Sequence, residues 1–149
     1  MENIGLSFSV DYGKPFADLI KAAGFNWFNP DIVDMCFDIV SDDNQNRGAV
    51  MDGKIFDYNI FSLEKVEHIK GIMADNGYRL GTPREMISFY SQNSIHLQSA
   101  QFVAINPSFE KSLTENYVLG IDTYDNEACL CIYNICDNLD RHIFGVKNL

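Results

Sequence analysis

The side chains best suited to chemistry gather toward the C-terminal end of the chain. Carboxylates recur in GIDTYDNEA and CDNLDRH, which supply Asp122, Asp125, Asp137 and Asp140, and the second stretch runs on through Arg141 to His142. A histidine titrates near neutrality and, beside carboxylates, can serve as a general base. That role needs a nucleophile or a metal partner. The chain has no G-x-S-x-G, no cysteine-hydrolase signature and no glycine loop that would cradle phosphate. A calcium site takes roughly six to eight oxygens on a loop of defined spacing, and these aspartates match no such loop. They read first as turn and cap residues that bond their own backbone. If the last strands are neighbours, Asp122, Asp125, Asp137 and Asp140 could approach one another at one sheet end, and Asp122, Asp125 and Asp140, with His142, are candidate binding residues.

Four cysteines, Cys36, Cys129, Cys131 and Cys136, include no C-x-x-C pair and no zinc-type spacing with histidine. On a strand Cys129 and Cys131 share a face about 7 Å apart, which suits packing better than a bond between them. We expect buried, reduced thiols, no metal and no cofactor. Trp27, the single tryptophan, stands between two asparagines in FNWFN. Large aromatic side chains dominate cores, so we expect it to be buried, with pocket lining as its second use. His68 lies off the apolar stripe of its segment and is expected to face water.

These residues must be positioned by a series of short elements. LSFSV alternates as a first strand over Leu6–Val10. KPFADLIKAAG predicts a helix from Pro15 to Ala23, with Pro15 at its first position and Gly24 ending it in a left-handed conformation. A strand is expected over Met35–Val40, an exposed loop over Ser41–Gly48, and a hairpin turn at Asp52-Gly53 within AVMDGKIFDYNIF. Ser62 caps a helix whose stripe is Leu63, Val66, Ile69 and Met73 and whose end is Gly77. Directly after it, NGYRLGTPREMISFY leaves one helix and starts another. Thr82, Pro83 and Glu85 form a capping box, in which hydroxyl and carboxylate each satisfy a backbone amide at the helix start. Termination and initiation explain that join without any catalytic demand.

Beyond SQNSIHLQSA the period changes to that of strands in QFVAIN, YVLGIDTY, EACLCIYNI and HIFGV, the middle two joined tightly at Asp125-Asn126. PSFEKSLTEN, Pro107–Asn116, is a ten-residue excursion between strands, and long loops often carry contacts, so Phe109 within it is a candidate binding residue. Helices early and strands late predict a single α+β domain over residues 1–149, an antiparallel sheet with about three helices.

Eleven basic against 21 acidic residues give a formal charge of −10 and a pI near 4.5. Such a field repels phosphate backbones and anionic lipids, which argues against direct nucleic-acid or membrane binding. No run of about 18 apolar residues and no export-signal pattern occurs, so we expect a cytoplasmic protein.

The stretch FSVDYGKPFADLIKAAGFNWFNPDI resembles the start of a family of small uncharacterised bacterial proteins. The likeness lies in Val10-Asp11-Tyr12, Ile20, Ala23-Gly24, Trp27, Asn29 and Asp31-Ile32. NGYRLGTPREMISFY is similar to that family's second block, a Gly-Tyr-Arg followed by a Thr-capped helix with Glu85. The resemblance implies architecture and no activity. Gly77-Tyr78-Arg79-Leu80 with Thr82 and Glu85 also looks like an element of the C-type-lectin-like and formylglycine-generating fold, which would make the domain lectin-like. Gly81 stands where that element has proline and Met86 where it has tryptophan, and no calcium-lectin triplet such as EPN or WND is present.

Taken together, these features lead us to expect a non-catalytic cytoplasmic binding protein, with another protein as its partner. Two alternatives follow from the same residues: a lectin-like binder of small ligands, using Trp27 and the late strands, and an acidic inhibitor of a nucleic-acid enzyme.

Overall fold

The computed structural model describes residues 5–32, 48–57, 63–105, 117–124, 127–134 and 141–148, the side chains of 63–66 excepted. The fold is α+β. Its elements in chain order are β1 (Leu6–Asp11), α1 (Phe16–Ala23), β2 (Trp27–Phe28), β3 (Gly48–Phe56), α2 (Leu63–Asp75), β4 (Arg79–Leu80), α3 (Pro83–Asn93), β5 (Gln101–Ala104), β6 (Tyr117–Tyr124), β7 (Glu127–Asn134) and β8 (His142–Asn148). The eight strands among the described residues make one sheet in the order β1-β3-β8-β5-β6-β7-β2, with β4 paired to β8. An antiparallel sheet was expected, but the sheet is mixed: β5 runs parallel to β8, and β2 parallel to β7. Both parallel pairs join strands distant in sequence, and that kind of pairing has no local signature.

Each helix is placed by its ends. Pro15 sits just outside α1 as its N-cap, with φ −56° and ψ 140°, one position earlier than the spacing predicts. Gly24 closes that helix at φ 72°. At the end of α2, Gly77 adopts φ 80°, its amide donates to Ala74 O, and the Tyr78 amide donates to Met73 O. That is a Schellman closure, which satisfies carbonyls the helix would leave open. Six residues after Gly77, α3 begins at Pro83 with both bonds of the Thr82/Glu85 capping box formed. Ser62 and the side chains of Leu63 and Val66 lie outside the described residues, whereas Ile69 and Met73 are buried as the stripe requires, and His68 is exposed.

The expected hairpin at Asp52-Gly53 does not form, because β3 runs straight through both residues between β1 and β8. Gly53 is there for space. A Cβ on it would lie 2.4 Å from the Phe89 ring, which α3 lays against the strand and which Phe8, Phe102 and Phe144 surround. Gly81 is similar: a Cβ would meet Phe144 at 2.3 Å, and its amide donates to Phe144 O at 3.2 Å. A proline there would clash and lack the donor.

Strand alternation sends side chains to two cores. On one face, α3 and α1 cover Phe8, Val10, Phe102, Leu119, Ile121 and Phe144. On the other, α2 covers Phe56, Leu80, Val103, Val118 and Ile143 with Ile69 and Met73. The expected strand at Met35–Val40, the loop at Ser41–Gly48 up to residue 47, the Asp125-Asn126 turn and the Pro107–Asn116 excursion lie outside the described residues.

Candidate functional site

Asp122 lies in β6 with the facing of Val118, on the α2 side of the sheet. The register sets Gln101 and Cys129 on either side of it and Trp27 beyond Cys129, so these four residues form one row across β5, β6, β7 and β2. Arg141, one residue before β8, reaches back over the sheet and clamps Asp122 from two points: Nε to Oδ1 at 3.0 Å and Nη2 to Oδ2 at 3.1 Å. The Tyr133 hydroxyl also donates to Asp122 Oδ2. Its ring reaches that oxygen by lying across Gly120, where a Cβ would come within 2.7 Å. Arg141 in turn stands 5.0 Å from the Tyr133 ring centroid. Asp122 is 7% and Arg141 21% exposed, so the pair is largely removed from water.

This environment disfavours a change of charge at Tyr133, Arg141 and Cys131. Burial, then the hydrogen bond to Asp122 and its charge, push the Tyr133 phenol far above its usual range. The bond to Asp122 outweighs burial and keeps Arg141 charged. Burial raises the Cys131 thiol; the hydrogen bond with Tyr133 opposes this in part, Asp122 and Cys129 add to the rise, and Arg141 opposes it least. A thiol held protonated is a poor nucleophile. The cluster is therefore a fixed platform, bordered by Trp27 at 51% and Tyr124 at 50% exposure, both on the same face by register.

The structure separates several residues that the sequence suggested together. Trp27, expected in the core, is half exposed. Its two-residue strand is the last of the sheet and places it beside Cys129, a corner that no described helix covers. His142, expected near Asp122, points with Phe144 to the opposite face. There its Nδ1 approaches Asp57 Oδ1 at 3.3 Å without forming a hydrogen bond. Cys129 and Cys131 share a face as predicted but are half-buried rather than fully buried. Phe109, Asp125, Asp137 and Asp140, with Cys36 and Cys136, lie outside the described residues. Tyr133 was not among the expected site residues, and its only signal was the alternation that puts it two positions past Cys131 on the same face.

Sequence reasoning also assigned Glu85 too small a part. Only 1% exposed, it accepts from Arg79 Nη1 at 2.9 Å and Nη2 at 2.7 Å, from the Thr82 amide at 2.9 Å and from the Tyr12 hydroxyl at 2.6 Å. Burial alone would raise its carboxyl. Arg79, Thr82 and Tyr12 together outweigh that and leave it below the ordinary carboxylate range. Tyr12 is pushed up, by burial first and by Glu85 second. The Val10-Asp11-Tyr12 and Gly77-Tyr78-Arg79…Glu85 blocks, far apart in the chain, thus meet on one carboxylate.

Among the described residues no three His, Cys, Asp or Glu side chains gather as metal ligands. Compared with protein-family models, curated proteins and solved structures, the chain matches none.

Proposed function

We propose that this protein is a non-catalytic binding module that engages a protein partner through the sheet corner bordered by Trp27 and Tyr124. The observation that carries the reading is two half-exposed aromatic side chains on one face with a partly buried, clamped Arg141–Asp122–Tyr133 cluster. Aromatic and arginine side chains dominate the energy of protein interfaces. A platform already held by its own hydrogen bonds loses little freedom on binding. The charge of −10 favours a basic partner surface and steers its approach. The same charge disfavours direct nucleic-acid contact. No described helix is long and apolar enough to cross a membrane. The reading places the protein in the cytoplasm.

The test is capture with the purified chain as bait. A partner held by the wild type is expected to be lost with Trp27→Ala and Tyr124→Ala and retained with Val50→Ala, a side chain 58% exposed on β3 toward the other end of the sheet. Its retention should fall as salt rises past about 0.15 M, where the screening length is about 8 Å. Capture indifferent to both aromatic substitutions rules the corner out. The exposed Trp27 also favours a second reading, a lectin-like stacking site for a sugar ring. Quenching of Trp27 fluorescence by a sugar, in the absence of any captured protein, would favour it.

A further inference from the structure

A cleft of about 220 Å³ opens between α1 and α3 along the outer edge of β1, on the opposite face of the sheet from the Trp27 corner. Leu19, 8% exposed, and the exposed Ala22 give it an apolar wall, while Ile87, 0% exposed, is out of reach of solvent. Asp11, Lys14, Ser88 and Ser91 stand around it. Arg84 donates to the carbonyls of both Asp11 and Lys14, so the turn carrying the two charges is held against α3. Asp11 Oδ1 accepts from the Gly13 amide at 2.9 Å, which orients the carboxylate and leaves Oδ2 for another donor. The Ser88 hydroxyl donates to Arg84 O at 3.0 Å and keeps its lone pairs. Among the described residues, neither Asp11 nor Lys14 forms an ion pair with the other or with any other group.

We infer that this cleft binds a small zwitterion with an aliphatic body, the chemistry of a free apolar α-amino acid. Asp11 takes the ammonium, Lys14 and the Ser91 hydroxyl take the carboxylate, and the aliphatic side chain lies on Leu19 and Ala22. Two opposite charges, fixed on one turn and unpaired with each other, complement a ligand that carries both. The volume, below the roughly 300 Å³ at which pockets for drug-sized ligands begin, selects a small molecule. The inference is independent of the partner-binding corner.

The test is an NMR titration of the full chain with L-leucine, leucinamide and 4-methylpentanoate. L-Leucine should give saturable amide shifts at Ser88 and Ser91. Each analogue, lacking one charge, should bind about tenfold more weakly, the loss expected for one hydrogen bond to a charged group. Ser91→Trp, at an exposed position, should fill the cleft and abolish the shifts, while Trp27→Ala leaves them unchanged. The absence of saturable shifts with L-leucine, an analogue that binds as tightly as L-leucine, or shifts that survive Ser91→Trp would each overturn the inference.

Discussion

Arg79–Glu85–Tyr12 and Arg141–Asp122–Tyr133 are two solutions to one problem, a carboxylate taken out of water. Each is offset by a two-point arginine clamp and a phenol donor, the geometry that lets such a pair persist inside a protein. Glu85 has the clearer pH consequence. Its folded carboxyl lies below the ordinary value, so its contribution to stability is complete above the unfolded value of about 4.3 and is lost as pH falls through the folded value. Urea unfolding should therefore show wild-type stability declining as pH drops below about 4.3, with a shallower decline in Glu85→Gln. At neutral pH Glu85→Ala should cost about 3 kcal/mol, the low end for breaking a buried pair, because Arg79 at 45% exposure can still be hydrated. An unchanged acid profile in Glu85→Gln would remove Glu85 as the titrating group.

At the scale of elements, the outer edge of β1 is closed by side chains of α3. The Gln92 carboxamide accepts from the Ser9 amide at 2.8 Å and donates to the Ser9 carbonyl at 2.7 Å, as a neighbouring strand's peptide would. Asn93 donates to Ser7 O at 3.3 Å and Arg84 to Asp11 O at 2.9 Å. Open edges invite pairing between chains, and covering them is a recognised defence. Gln92→Leu should leave the helix intact, since leucine is a good helix former, and should promote concentration-dependent self-association in sedimentation analysis. If the variant stays monomeric wherever the wild type does, the seal is dispensable. The Asp52-Gly53 pair shows how an element can be misread: a strong turn dipeptide runs through the middle of a strand because an aromatic ring from α3 needs the missing Cβ.

For the whole molecule, one sheet serves two cores, and β5 and β8 contribute to both: Phe102 and Phe144 to one side, Val103 and Ile143 to the other. Because those strands are shared, loss of either core is expected to loosen the sheet beneath the other. Phe89→Ala, on the α3 side, and Met73→Ala, on the α2 side, should each lower stability by roughly 2–5 kcal/mol and shift the same single unfolding transition by calorimetry and circular dichroism. Two separated transitions in Met73→Ala would mean that the α2 face unfolds alone.

The amino-acid order determined what depends on near neighbours. Alternation and three-to-four spacing placed β1, α1, α2, α3 and the late strands, and Thr82, Glu85 and Gly24 marked helix ends where the backbone bends. These signals are local, because a capping hydroxyl or a left-handed glycine acts within a single turn. Tertiary structure alone decided which strands lie side by side. It sent Asp122 and His142 to opposite faces, left Trp27 on the last strand half in water, and brought Tyr12 and Arg79 to the same glutamate. The reason is physical: strand partners and buried ion pairs are chosen by burial and geometry summed over the whole sheet, and no short stretch of residues contains that sum.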